Sequence, residues 1–162
     1  MAEEIVTKEP LAEIVVDKPE PPPVPVFTDE GLTALVGACR GKAFNDLRDA
    51  AAIRLLIDCG LRVSELTGIC LDELDLEGES GKVVGKGSRV RMAYFGNKTG
   101  LALDRYVRAR RSHRHASEPA VFLGERRRFT PDGVRERVKV RAERAGLDPG
   151  GCTRFGSPHR GP

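Results

Sequence analysis

The stretch Cys59-Gly-Leu-Arg-Val-Ser-Glu-Leu66 sets one arginine, Arg62, just past the glycine that closes an apolar segment, with a carboxylate, Glu65, one helical turn further on. Downstream, Gly85-Lys86-Gly87 holds a lysine between two glycines, and Arg89 and Arg91 follow. These residue types suit work on a phosphate. A guanidinium donates two parallel hydrogen bonds to an anion, and the first turn of a helix offers free backbone N–H groups beside it. An ammonium between two glycines adds a compact cation with three donors. Plainer roles fit the same residues. Arg62 can bridge to Glu65 or Asp58 at a helix start, Ser64 and Glu65 can cap that helix, and Lys86 can be a soluble hairpin turn.

The charge distribution favours an anionic partner. Residues 1–30 carry two lysines against eight acids, net −6, whereas residues 31–162 carry 25 basic and 16 acidic groups, net +9. Arginine dominates 105–144, in "RYVRARRSHRH", "GERRRF" and "VRERVKVRAER". Such a run reads equally as a phosphate-binding surface or as a solvated helix face. Cysteines at 39, 59, 70 and 152 have neither C-x-x-C spacing nor histidines at zinc-finger distance, so no metal, disulfide framework or other cofactor is expected. The "HRH" at 113–115 reads as a solvated helix end. No apolar run reaches the length of a membrane span, and the N-terminus lacks the layout of a secretory signal, so the expected setting is the cytoplasm, with no membrane partner.

The elements that must position these groups can be read from periodicity. Residues 1–26 are acidic and end in "KPEPPPVPV", an extended linker or tail without a core of its own. Thr28 is placed to cap a helix that Gly41 stops, and 44–60 reads as a largely buried helix ending at Gly60. "RVSELTGI" predicts a short helix. "LDELDLE" leads into a turn at "GESG", and strand-like runs at 82–85 and 89–95 make a hairpin with Lys86 at its tip. A helix over "NKTGLALDRYVRARRSH" buries Leu103, Tyr106 and Val107. A short extended piece, "AVFLG", follows. The last helix has Thr130 as N-cap and Pro131 in its first turn, with Val134, Val138, Ala142 and Ala145 on one side. The fold class expected is α+β, mostly helical, with a small antiparallel sheet.

The G-L-R-x-S-E-L run of 60–66 and the G-K-G turn of 85–87, in that order and flanked by helices, resemble the catalytic domain of tyrosine recombinases of the phage-integrase type. The likeness covers about Thr28 to Leu147. It implies a linker over 1–26, a partial catalytic domain over 27–147, truncated at its C-terminus, and a disordered, aberrant tail over 148–162. It also implies chemistry without metal or ATP. A tyrosine hydroxyl attacks the scissile phosphate, and the phosphotyrosine link conserves the bond for rejoining. By resemblance, Arg62 matches the first phosphate-binding arginine, Glu65 the acid that orients the active-site cations, and Lys86 the hairpin general acid. Arg62, Lys86, Arg89 and Arg91 are then the residues expected on double-stranded DNA, with other recombinase protomers as partners. The alternative is a non-enzymatic, helix-turn-helix-like DNA-binding regulator.

The family's second half-site is not found. A His-x-x-Arg box and a late nucleophilic tyrosine would follow Leu147, and the chain gives "DPGGCTRFGSPHRGP", with His159 and Arg160 adjacent. The two tyrosines, Tyr94 and Tyr106, precede that point and both read as core. The expectation is a chain that cannot cleave DNA alone.

Overall fold

A computed structural model describes residues 27–149. The expected linker at 1–26 and all but Asp148 and Pro149 of the expected tail lie outside those residues. The described part contains α1 (Asp29–Gly37), α2 (Phe44–Cys59), α3 (Val63–Gly68), the strands β1 (Leu74–Asp75), β2 (Ser80–Val84) and β3 (Val90–Tyr94), then α4 (Asn97–Arg110) and α5 (Pro131–Arg144). The α+β class and the helical predominance follow as expected. No described helix is long and apolar enough to cross a membrane.

Local chemistry sets the helix ends. Thr28 Oγ1 accepts from Gly31 N at 3.1 Å, and Thr130 Oγ1 accepts from Gly133 N at 3.1 Å with Pro131 behind it. Each cap satisfies one otherwise orphaned donor of the first turn. Gly60 ends α2 in the left-handed region, φ 57°, which frees the chain to turn at once into α3. α2 is the central helix. Its Ala51, Ala52, Ile53, Leu55 and Leu56 are buried, and Leu35, Leu66, Leu103, Val134 and Val138 from the surrounding helices close the same core. Of the side chains expected inward on α4, Leu103 and Tyr106 are fully buried and Val107 is half-buried.

The sheet is a three-stranded antiparallel meander ordered β1-β2-β3 rather than a lone hairpin. β1 pairs Leu74 with Gly81 and Asp75 with Ser80, and the tight connection closes where Asp75 Oδ1 accepts from Gly78 N. β2 and β3 pair from Ser80–Tyr94 to Val84–Val90, a register that starts and ends slightly differently from the strands read in sequence. The inner face carries Gly81, Val83 and Ala93, all buried, while Val84, Val90, Met92 and Tyr94 share the exposed face.

Three sequence expectations are corrected here. Tyr94 is not core: the strand alternation turns it outward and leaves it 69% exposed. His113 is not simply a solvated helix end, because its ring stacks on Phe44 at 4.5 Å. The arginines of 105–144 are not all surface groups either. Arg110 is buried and donates to the carbonyls of Ala116, Glu118, Ala120 and Val121, fastening the loop after α4. Arg141 is buried against Asp46 and Asp49. Asp49, itself buried, accepts from Arg48, Arg137 and Arg141 and so ties α2 to α5. Burial works against the charge of Arg141, and its hydrogen bonds to Asp46 and Asp49 outweigh that, holding its pKa above the ordinary value.

Candidate phosphate site

Arg62 is the residue before α3, with extended backbone at φ −72° and ψ 149°. Its N–H donates to Glu65 Oε2 at 2.8 Å, the reach-back half of a helix-capping arrangement. Arginine has no acceptor to complete such a box, so the Arg62 side chain is left to point elsewhere. It is half-buried, and its guanidinium has no carboxylate or carbonyl partner among the described residues.

Glu65 is buried at 8% exposure and does three things at once. Besides holding the Arg62 N–H, its Oε2 accepts from Arg91 Nη2 at 3.2 Å, an ion pair reaching from α3 to β3. Its Oε1 lies against Gly85, where an added Cβ would stand 3.1 Å from it. One carboxylate therefore sets the start of α3 and packs close against the base of the turn that carries Lys86. Satisfying a buried carboxylate on several donors makes this geometry costly to disturb.

The turn itself is well defined. Gly85 N donates to Arg89 O at 2.8 Å, closing the loop, and Gly87 (φ 73°) and Ser88 (φ 59°) both take the left-handed region. Glycine occupies such a position without steric cost, whereas Ser88 is held there with some strain. Lys86, Ser88 and Arg89 are exposed, and neither Lys86 nor Arg89 makes an ion pair among the described residues. Arg91 differs from that reading: the strand alternation places it on the inner face, where it is committed to Glu65 though its side chain is still 45% exposed. Arg62 and Arg91 thus meet at the Glu65 carboxylate, with Gly85 against it at the foot of the turn, while Lys86 is exposed on the turn and Arg89 closes its base. The sequence marks Gly85 as one flank of the Lys86 turn, and the structure adds the close approach of Glu65 that its missing side chain permits.

Neither tyrosine belongs to this cluster. The Tyr106 hydroxyl donates to Val121 O at 3.0 Å and accepts from Leu123 N at 2.9 Å, and burial pushes its pKa up to about 12. Tyr94 pairs with Ser80 at the strand end away from the Lys86 turn, on the sheet face opposite Arg91. The helix-turn-helix alternative meets a physical obstacle as well. α3 has six residues, Val63, Glu65, Leu66 and Thr67 are buried, and the chain turns extended at Ile69, so no exposed recognition face is formed. The Cys70, Asp72 and Glu73 ligand atoms lie close together, but the Glu73 carboxylate already accepts from Cys70 N at 3.2 Å as the cap of a short turn.

Comparison with known proteins bears on the family and the fold. The sequence model of the phage integrase family matches residues 25–160. The chain is 39% identical over 123 residues to tyrosine recombinase XerC of Pseudomonas fluorescens (strain Pf0-1), covering 75% of this chain and 40% of that protein. It is 34% identical over 133 residues to tyrosine recombinase XerD of Bifidobacterium longum, covering 75% of this chain and 43% of that protein. The chain thus spans well under half the length of these curated relatives. Among solved structures, the XerA recombinase superposes with a TM-score of 0.68 at 23% identity, over 77% of this chain and 45% of that one. The XerH site-specific recombinase bound to its palindromic difH substrate superposes at 0.64 with 17% identity, over 77% of this chain and 37% of that one. These structural likenesses establish the fold, that of a tyrosine-recombinase catalytic domain. With the family match running over most of its length, the chain belongs to the phage integrase family.

Proposed function

We propose that this chain carries the Arg62–Glu65–Lys86 portion of a tyrosine-recombinase active site and acts on double-stranded DNA in site-specific recombination or integration, in the cytoplasm. The observation that carries the reading is the Glu65 carboxylate, which accepts from Arg62 N and Arg91 and stands close against Gly85 at the foot of the Lys86 turn. A phosphoryl-transfer transition state gathers negative charge on its non-bridging oxygens, and preorganised cations at that point lower its energy without reorganising. Arg62 offers a guanidinium with no carboxylate or carbonyl partner among the described residues. Lys86 offers a proton to the departing 5′ oxygen, and its turn can follow the DNA backbone. Arg89, and Arg91 through its exposed portion, extend the cationic surface along the strand. That a structural neighbour was solved on a DNA substrate supports the choice of partner.

The same reading makes the chain catalytically silent by itself. Its sequence contains no His-x-x-Arg spacing, and its two tyrosines stand apart from Arg62 and Lys86. A transesterification that lacks its nucleophile does not proceed at a proportionally reduced rate, because the groups act as a unit. Within an assembly, other recombinase protomers would have to supply the missing groups.

Fluorescence anisotropy on a labelled duplex tests the binding half. Affinity should fall by orders of magnitude as salt rises from about 50 to about 200 mM, and R62A and K86A should each flatten that dependence. Salt-independent binding, or binding indifferent to both substitutions, would overturn the reading. A phenol-resistant covalent adduct on a nicked duplex would overturn the assignment of silence.

A further inference from the structure

A second cationic feature lies outside the phosphate site. α1, the turn after it, α2 and the start of α4 enclose an open groove of about 560 Å³ that continues into a second hollow along α1. Arg40, Lys42, Arg54, Lys98 and Arg105 line it, and none of the five makes an ion pair among the described residues. Among the described residues, the only carboxylate lining either hollow is Asp58, which already accepts from Gly96 N and the Thr99 hydroxyl. The floor is apolar. Val36, Leu47 and Ala102 are half-buried there, and Leu101 is 52% exposed at the rim.

We propose that this groove docks an acidic, apolar-rich peptide segment, and that its occupant is the chain's own residues 3–17. Three observations select that occupant. The first is charge: "EEIVTKEPLAEIVVD" carries five acids against one lysine, opposite five uncompensated cations. The second is the interleaving of those acids with Ile5, Val6, Leu11, Ile14, Val15 and Val16, which gives the segment apolar side chains for the floor. Duplex DNA has no such need, since backbone contacts are made to phosphate and sugar, whereas peptides that dock in grooves anchor on apolar side chains. The third is reach. Phe27 packs beside Gly31 at the beginning of α1, and Leu32, Thr33 and Val36 of that helix already line the hollow. The six residues from Pro21 to Val26 would span about 19 Å in polyproline geometry, at ~3.1 Å per residue. α1 itself is nine residues long, about 13.5 Å. A docked segment would cover the exposed Leu101 and mask five cations that otherwise attract nucleic acid nonspecifically.

The experiment uses the complete 162-residue chain with Leu101 replaced by the photo-crosslinking residue p-benzoyl-phenylalanine, irradiated with and without a duplex oligonucleotide. The expected result is an adduct within residues 3–17, found in the monomer band. It should weaken about tenfold in K98E/R105E, the scale of two exposed charge pairs turned from attraction to repulsion, and return when E9K/E13K is added. That reciprocal rescue separates docking from an effect on folding, because the quadruple variant carries the same groove substitutions. An adduct confined to a dimer band, which would make a second copy the occupant, overturns the proposal. So does an adduct to the duplex alone, or no adduct at all.

Discussion

Two carboxylates in this molecule collect arginines, and they do opposite things with them. Asp49 is fully buried and accepts from Arg48, Arg137 and Arg141, each of which has its charge answered inside the fold. Arg48 also lies over the Phe129 ring at 4.1 Å and donates to Leu123 O, while Arg141 reaches Asp46 and Ala38 O. Glu65, nearly as buried, takes one half-exposed guanidinium and one backbone N–H, and leaves the Arg62 side chain free. The first cluster is closed and joins helices. The second is open, and its unpaired cations face outward. An arginine-rich composition therefore says little about function until it is known which guanidinium groups have a partner within the chain.

The comparison breaks most violently at Asp49. D49A leaves three guanidinium groups at a buried junction without their shared anion, and removing one partner of a buried pair costs about 3–5 kcal/mol. Urea denaturation should show that loss, a large fraction of the roughly 5–15 kcal/mol that holds an ordinary domain folded. An unchanged urea midpoint would mean that the cluster is peripheral to the α2–α5 junction.

Glu65 should rank second. E65A strands the half-exposed Arg91 and the Arg62 N–H, and leaving such groups unsatisfied costs about 1–3 kcal/mol. It also frees the foot of the Lys86 turn. Hydrogen exchange at the Gly85 amide, which donates to Arg89 O, should accelerate beyond the change in global stability. A uniform increase across the domain would argue that Glu65 only supports the core.

Arg62 sharpens the contrast from the other side. With no partner for the Arg62 guanidinium among the described residues, R62A should alter the unfolding midpoint little, within about 0.5 kcal/mol. It should instead lower the slope of log affinity for duplex DNA against log salt by about 0.9, the contribution of one phosphate contact. A large loss of stability with an unchanged slope would reverse the roles assigned to the two clusters.

Much of the scaffold could be read from local chemistry, because caps and stops act within a few residues. Thr28, Gly60, Thr130 and Pro131 mark helix ends in the sequence and hold them in the structure. The Lys86 turn was legible for the same reason, since its glycines announce unusual backbone. Features that depend on partners distant in sequence were not legible. Arg110 and Arg141 sit in runs that read as solvated, yet their burial is set by carbonyls after α4 and carboxylates on α2. β1 is two residues long and carries no periodicity, and it exists because β2 lies beside it. Tyr94 looked like core by residue type, and the β2–β3 register turned it to the open face. Arg91 was read as a DNA contact, and only the fold shows it bound to Glu65.

The smallest effect concerns a group that belongs to neither cluster but lies beside the first. His113 stacks on Phe44, and its pKa is lowered by burial first, then by the positive charges of His115, Arg114, Arg110 and Arg48. The folded state therefore resists protonation that the unfolded chain accepts at the ordinary histidine value of 6.5. Above that pH both states hold neutral His113 and it adds no pH dependence. As the pH falls below 6.5 the unfolded state takes up the proton first, so stability declines until the folded value is passed. H113F keeps an aromatic ring against Phe44 and removes the titration. Thermal midpoints measured between about pH 7.5 and 5 should fall less steeply for H113F than for the parent chain. Equal slopes would place the acid sensitivity outside His113.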